Sequence, residues 1–157
     1  MNATMNTVSV ETRLKNKQLV QPMLQAMLAL QGVANQTQIE KPLIELVKTR
    51  ASQINGCAFC LDMHTREAVA HGEDAKRLHL LPAWEEVSYY TARERAALRW
   101  TEAHTQLSEG GVPDDVFAEA SGLFSEQELL ELTLAVVAIN GWNRFNVAFR
   151  VPPGGLS

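Results

Sequence analysis

Apolar residues recur along this chain at mixed three- and four-residue spacings, the period of a helix that buries one face. Residues 19–30 carry Leu, Val and Met at those spacings, with Pro22 in a first turn, where its missing N–H does no harm. Residues 39–54 repeat the period through Leu43, Leu46, Val47 and Ile54. Asn55-Gly56 ends that helix and turns the chain into the next, over 57–71, which Gly72 closes. Asp74 caps a short helix running to about residue 80, where Pro82 bars its continuation. Two capping boxes follow, Thr91 with Glu94 and Ser125 with Glu128, each a hydroxyl residue followed three positions later by Glu. The first opens a helix through Trp100 to about residue 105. The second opens a long apolar helix through Val136 and Ile139 towards Arg150, stopped at Pro152-Pro153. Between them Gly110-Gly111 makes a loop, and Pro113 suits the first turn of a short helix to about residue 120. No segment alternates convincingly as a strand, and residues 8–10 are too short to count. The pattern predicts an all-α chain of about six to seven helices.

Length and composition narrow the class. The 157 residues suit a single domain, with its core over about 17–150 between a polar N-terminal tail and a short C-terminal one. A formal charge of −4 without any block of Lys and Arg indicates neither a nucleic-acid nor an anionic-membrane surface. Residues 1–11 lack the charged start and apolar run of a signal peptide, and no apolar stretch approaches the ~20 residues that span a bilayer. Cytoplasmic residence is the resulting expectation. With 46% hydrophobic residues in amphipathic helices, one of them apolar almost all round, the subunits are also expected to associate.

The chemistry concentrates at one place. The only two cysteines form Cys57-Ala58-Phe59-Cys60, and His64 follows one turn later. On one helix these stand at i, i+3 and i+7 and share a face. In a reducing compartment so close a pair is catalytic or metal-binding rather than a staple. At a helix N-terminus the free N–H groups and the dipole favour a thiolate, lowering its pKa from about 8.5. Such a pair can close a disulfide with little backbone movement, and an imidazole one turn on can accept and return a proton. Glu45 lies twelve residues before Cys57, and an antiparallel return after Gly56 can bring its carboxylate to His64, raising the basicity of the ring and fixing its orientation. A nucleophilic thiolate, a resolving thiol and a proton relay make the set a dithiol peroxidase needs.

Glu45, eleven intervening residues and then Cys57-Ala58-Phe59-Cys60-Leu61-Asp62-Met63-His64 resembles the active-site signature of the alkylhydroperoxidase D family, within the carboxymuconolactone decarboxylase-like superfamily. The stretches over 48–56 and 139–144 are also similar to its single-domain members. The resemblance implies an all-helical subunit assembling into trimers or hexamers, with thiol-dependent peroxidase activity in antioxidant defence and no cofactor or metal. It assigns Cys60 the attack on peroxide to give a sulfenic acid, Cys57 its resolution to a disulfide, and Glu45 with His64 the proton relay. It further implies a hydroperoxide substrate, a dithiol reductant such as a dihydrolipoyl group, and a peroxiredoxin as a redox partner. The founding type carries histidine immediately before its second cysteine; Phe59 stands there in this chain, so the relay differs.

Other readings of the same residues stay open. A Cys-x-x-Cys is also a zinc half-site, and Cys57, Cys60, His64 and Glu45 can supply four ligands to a zinc-binding or redox-sensing module without turnover. A lactone decarboxylase of the same superfamily would use the fold without redox chemistry. Two inert buried cysteines are the plainest alternative. Leu61 excludes c-type haem attachment, which needs histidine directly after the second cysteine. His79 and His104 are expected to be exposed, His71 to complement a helix dipole, and Trp142, Asn143 and Arg144 to anchor the long helix or a subunit contact. The site disulfide itself is expected to present one sulfur at the surface and keep the other inside.

Overall fold

A computed structural model describes residues 8–156, so residues 1–7 of the polar N-terminal tail lie outside the described chain. Among the described residues seven α-helices follow one another: α1 (Gln21–Ala34), α2 (Lys41–Asn55), α3 (Ala58–Ala70), α4 (Ala75–Leu80), α5 (Ala92–Thr105), α6 (Asp114–Leu123) and α7 (Glu126–Phe149). No strand occurs among the described residues, as the helical period requires. Nor is any described helix long and apolar enough to cross a membrane.

Local signals hold wherever their partners are near in sequence. At Thr91 and Ser125 the side chain accepts from the N–H three residues on, and Glu94 or Glu128 reaches back to the capping residue's own N–H. Asp74 caps α4, and Pro22 and Pro42 sit in the first turns of α1 and α2. The differences come from packing. The α-helix ends at Leu80 as expected, and a 3₁₀ segment, Leu81–Glu86, follows it past Pro82, where a proline near a helical start loses no needed hydrogen bond and Leu81 and Trp84 are buried. Pro113 is the N-cap of α6 rather than part of its first turn, and α6 runs to Leu123. A 3₁₀ turn, Lys17–Val20, precedes α1, which extends to Ala34.

Helix α2 is the centre of the molecule, packing on α3, α5 and α7, with Leu46, Val47 and Ala51 fully buried. One apolar cluster joins α2, α5, α6 and α7 through Val47, Trp100, Ala120 and Leu132. A second joins Leu46 and Leu98 to Leu81, Trp84 and Tyr90. A third is small and holds Ala51, Cys57, Cys60 and Ile139, with Phe59 and Trp142 against it. Full burial of a Leu or Val is worth about 1.5–3 kcal/mol, so the frame around α2 is stiff before any polar contact is counted.

The corner between α2 and α3 carries the site. Gly56 adopts φ +64, a left-handed conformation that costs a residue with a Cβ about 1–2 kcal/mol. Its N–H reaches the Gln53 carbonyl, and the Cys57 N–H reaches that of Ser52 at 3.0 Å. Cys57 is then the N-cap of α3, its Sγ accepting from the Cys60 N–H at 3.3 Å. A buried amide network pins this corner to α7: Asn55 Nδ2 donates to Asn140 Oδ1 at 3.0 Å and Asn143 Oδ1 at 2.9 Å, and Asn143 Nδ2 donates to Ser52 Oγ at 3.0 Å. Asn143 thus anchors α7, whereas the Arg144 guanidinium donates to the Asn140 carbonyl within α7 itself.

Candidate active site

Cys57 and Cys60 are joined in a disulfide with their Cα atoms 5.4 Å apart, within the span such a bond needs. Each is only 1% exposed. This corrects the expectation that one sulfur would stand at the surface: α7 lies over the start of α3, and Ile139 and Trp142 close the cluster that holds both. Asn146, one turn beyond Trp142, donates from Nδ2 to Cys60 Sγ at 3.4 Å.

The antiparallel return after Gly56 brings Glu45 and His64 together. Glu45 Oε2 lies 2.8 Å from His64 Nδ1, and both residues are buried. Lys48, one turn along α2, donates to the other carboxylate oxygen at 3.2 Å. Burial opposes ionisation of Glu45, but the His64 hydrogen bond and the Lys48 charge outweigh it and hold the carboxyl below its ordinary value of 4.5. An ionised carboxylate only accepts, so Nδ1 of His64 carries a proton and Nε2 is the ring atom left free for proton exchange. Glu67 Oε2, on the exposed side of α3, lies 3.5 Å from the same Nδ1.

Cys60 and His64 line one cavity of about 380 Å³ between α1, α3 and α7. Its walls are largely apolar, with Leu24, Leu28, Phe59, Met63 and Trp142. Trp142 Nε1 donates to Gln31 Oε1 at 3.1 Å, which fixes the indole as a wall; its place is thus beside the sulfurs as well as in the anchor of α7. Glu45, His64 and Glu67 place carboxylate and imidazole atoms within 4.8 Å of one another, a set that can hold a metal ion. The cysteines are not among its members, so this set differs from the four-ligand zinc set that the sequence left open as an alternative. His71 Nδ1 donates to the Glu67 carbonyl at the end of α3, and His79 is exposed. His104 is half-buried rather than exposed, stacked on Trp100 with ring centroids 4.3 Å apart. Sequence reasoning missed Lys48, Gln31 and Asn146 as neighbours of the site; only the position of Lys48, one turn from Glu45, offered a signal.

The sequence profile of the carboxymuconolactone decarboxylase family matches residues 21–103, a span that holds Glu45, both cysteines and His64. The chain belongs to that family. Within it, the chain is similar to YdfG of Bacillus subtilis, an uncharacterized protein, at 37% identity over 80% of this chain and 85% of that one. YnjA of Escherichia coli, also uncharacterized, is 29% identical over 71% of this chain, which spans 60% of that protein. Among solved structures, ATU0492 of Agrobacterium tumefaciens superimposes with a TM-score of 0.87 and 39% identity, covering 91% of this chain and 98% of that one. It is a protein of unknown function for which a role as the antioxidant defence protein AhpD has been suggested. Fold and sequence together make the chain an AhpD-like member of the family, a group of enzymes of the oxidoreductase or decarboxylase kind.

Proposed function

We propose that the protein is a thiol-dependent peroxidase that reduces hydroperoxides through a Cys57–Cys60 dithiol–disulfide cycle. The observation that carries this reading is a Cys57–Cys60 disulfide whose Cys60 lines an apolar cavity together with a histidine oriented by a buried, ionised carboxylate. A decarboxylase would leave the paired cysteines without a part in its chemistry.

In the reduced protein His64 Nε2 takes the Cys60 thiol proton, and the Asn146 amide donates to the resulting thiolate. The thiolate attacks the outer peroxide oxygen; the O–O bond breaks, Cys60 becomes a sulfenic acid, and His64 returns its proton to the leaving alkoxide to give the alcohol. Cys57, whose sulfur accepts the Cys60 N–H at the helix start, attacks the sulfenic sulfur as a thiolate. The proton Cys57 gave up on ionising joins the departing hydroxide, so water leaves and the disulfide forms. A dithiol then reduces it by two exchange steps, becoming a cyclic disulfide itself. Glu45 stays ionised throughout, holding the His64 tautomer and stabilising its imidazolium. The apolar walls suit an organic hydroperoxide, and the dihydrolipoyl class fits the dithiol step.

Association of the subunits belongs to the same proposal. Leu28, Val33, Leu130 and Val137 are each at least half exposed on α1 and α7, an apolar surface that copies of the chain can cover. The test of the activity is peroxide-dependent oxidation of dihydrolipoamide by the pure protein, with thiols counted before and after one equivalent of cumene hydroperoxide. Loss of two thiols per chain and sustained turnover are expected. Retention of both thiols, or their conversion to sulfonic acids without turnover, rejects the reading.

A further inference from the structure

The two sulfurs do not share an opening. Cys60 lines the cavity between α1, α3 and α7, and Cys57 does not. Cys57 lines a second cavity, of about 530 Å³, bounded by the N-terminal segment at Arg13, the Gly56 corner and the chain leaving α7 at Arg150 and Pro152. Cys60 is absent from its walls. Asn146 belongs to both cavities and stands between them with its amide on the Cys60 sulfur. Substances entering the two cavities therefore approach the buried disulfide from opposite members, one from the Cys60 side and the other from the Cys57 side.

The second cavity also has a sign. Its lining includes Arg13 and Arg150 and no Asp or Glu, and neither arginine forms an ion pair among the described residues. Arg13 is tied down: its N–H donates to the Phe149 carbonyl at 2.9 Å and its Nη1 to the Ala148 carbonyl at 3.1 Å. Arg150 sits at φ +51, the one positive φ at a non-glycine among the described residues. Glycine would relieve that strain at the end of α7, yet the position carries a guanidinium at the rim of the cavity.

We propose that the Cys57 opening is the docking site of the reductant, separate from the peroxide cavity, and that Arg13 and Arg150 select a small dithiol bearing a carboxylate. The inference rests on the dithiol cycle proposed above and assigns its reductive half. A thiolate entering there attacks Cys57 Sγ; the new S–S bond forms to Cys57, the Cys57–Cys60 bond breaks, and the electron pair leaves on Cys60, where the Asn146 amide receives it. The second thiolate of the donor then displaces Cys57 from the mixed disulfide, so two electrons pass from one dithiol to one disulfide. Cys60 emerges as the thiolate, already facing the peroxide cavity.

The test uses the oxidised full-length protein and no peroxide. Its disulfide is reduced under pseudo-first-order conditions by dihydrolipoate and by dihydrolipoamide, which share a dithiol head and differ in the charge of the tail. The carboxylate is expected to react about fivefold faster at low ionic strength, with the preference fading in about 0.5 M salt as screening takes hold. Arg13→Gln with Arg150→Gln should bring the ratio of the two rates to about one, and Arg13→Lys with Arg150→Lys should restore the preference. Brief reaction with 3-mercaptopropionate, quenched and mapped, should place the mixed disulfide on Cys57. Equal rates in the unmodified protein, a preference that survives the double Gln substitution, or a mixed disulfide on Cys60 overturns the proposal. Failure of the peroxidase reading would show elsewhere, as a reduced protein that peroxide does not oxidise.

Discussion

Replacing Glu45 by glutamine keeps the shape of the side chain and removes its charge, which makes Glu45→Gln a clean probe of the proposed relay. In the native site one carboxylate oxygen takes the His64 Nδ1 proton at 2.8 Å and the other takes Lys48 Nζ at 3.2 Å. A glutamine amide has one acceptor and one donor end. If its oxygen faces His64, its NH₂ confronts the Lys48 ammonium, donor against donor. If it flips, the NH₂ faces Nδ1, the ring proton must move to Nε2, and the basic atom is lost. Either arrangement loses a hydrogen bond between charged or charge-assisted groups, worth about 1.5–3 kcal/mol. At about 1.4 kcal/mol per factor of ten, thiol oxidation should slow roughly 10- to 150-fold. The assay is stopped-flow oxidation of the reduced protein by cumene hydroperoxide from pH 6 to 9, followed by intrinsic fluorescence, since Trp142 walls the same cavity as Cys60. Thermal unfolding of both forms of the protein guards against a trivial loss of fold. A rate within twofold of the native value across that range, with the fold intact, would show that Glu45 does not govern the thiols and would refute the relay.

Cys60→Ser should abolish reaction with peroxide, whereas Cys57→Ser should leave a Cys60 sulfenic acid that a dimedone probe traps; trapping at residue 57 in the Cys60→Ser variant would reverse the two roles. Asn143→Ala should destabilise the protein by about 2–4 kcal/mol in urea unfolding, because it opens a cavity at a fully buried side chain, removes one buried and one part-buried hydrogen bond and leaves the Ser52 hydroxyl without that donor; a loss under 1 kcal/mol would mean water replaces the amide. The Glu45 carboxyl is held below its ordinary value of 4.5, so its contribution is present above pH 4.5 and fades as pH falls through the depressed value. Glu45→Gln should therefore lose less stability than the native protein between pH 4.5 and 2.5, and parallel acid curves would contradict the assignment. Light scattering at micromolar concentration should give a mass above that of one 17.4 kDa chain; a monomer would remove the association of subunits from the proposal.

Much of this molecule is legible without coordinates because its decisive interactions are local. The capping boxes at Thr91 and Ser125 close within three residues. The left-handed Gly56 followed at once by Cys57 follows from the dipeptide Asn55-Gly56, and the helical spacing of Cys57, Cys60 and His64 needs no tertiary information. Glu45 is a middle case: its separation of 19 residues from His64 is bridged by a single corner, so a hairpin argument reaches it.

What lay beyond the sequence depended on elements far apart in the chain. Asn146 meets Cys60 across 86 residues and Trp142 meets Gln31 across 111, and no periodicity links such pairs. The burial of both sulfurs, the 3₁₀ path past Pro82 and the half-buried His104 all came from neighbours that pack on those positions. The separate openings at Cys57 and Cys60 exist because both ends of the described chain gather at the N-terminus of α3 while α1 closes the other side. Sequence by itself thus determined the helices, the capping boxes and the helical spacing of Cys57, Cys60 and His64, since each is settled within a turn or two of backbone. Only the tertiary structure decided which groups stand around each sulfur, because that is settled by which helix faces pack together.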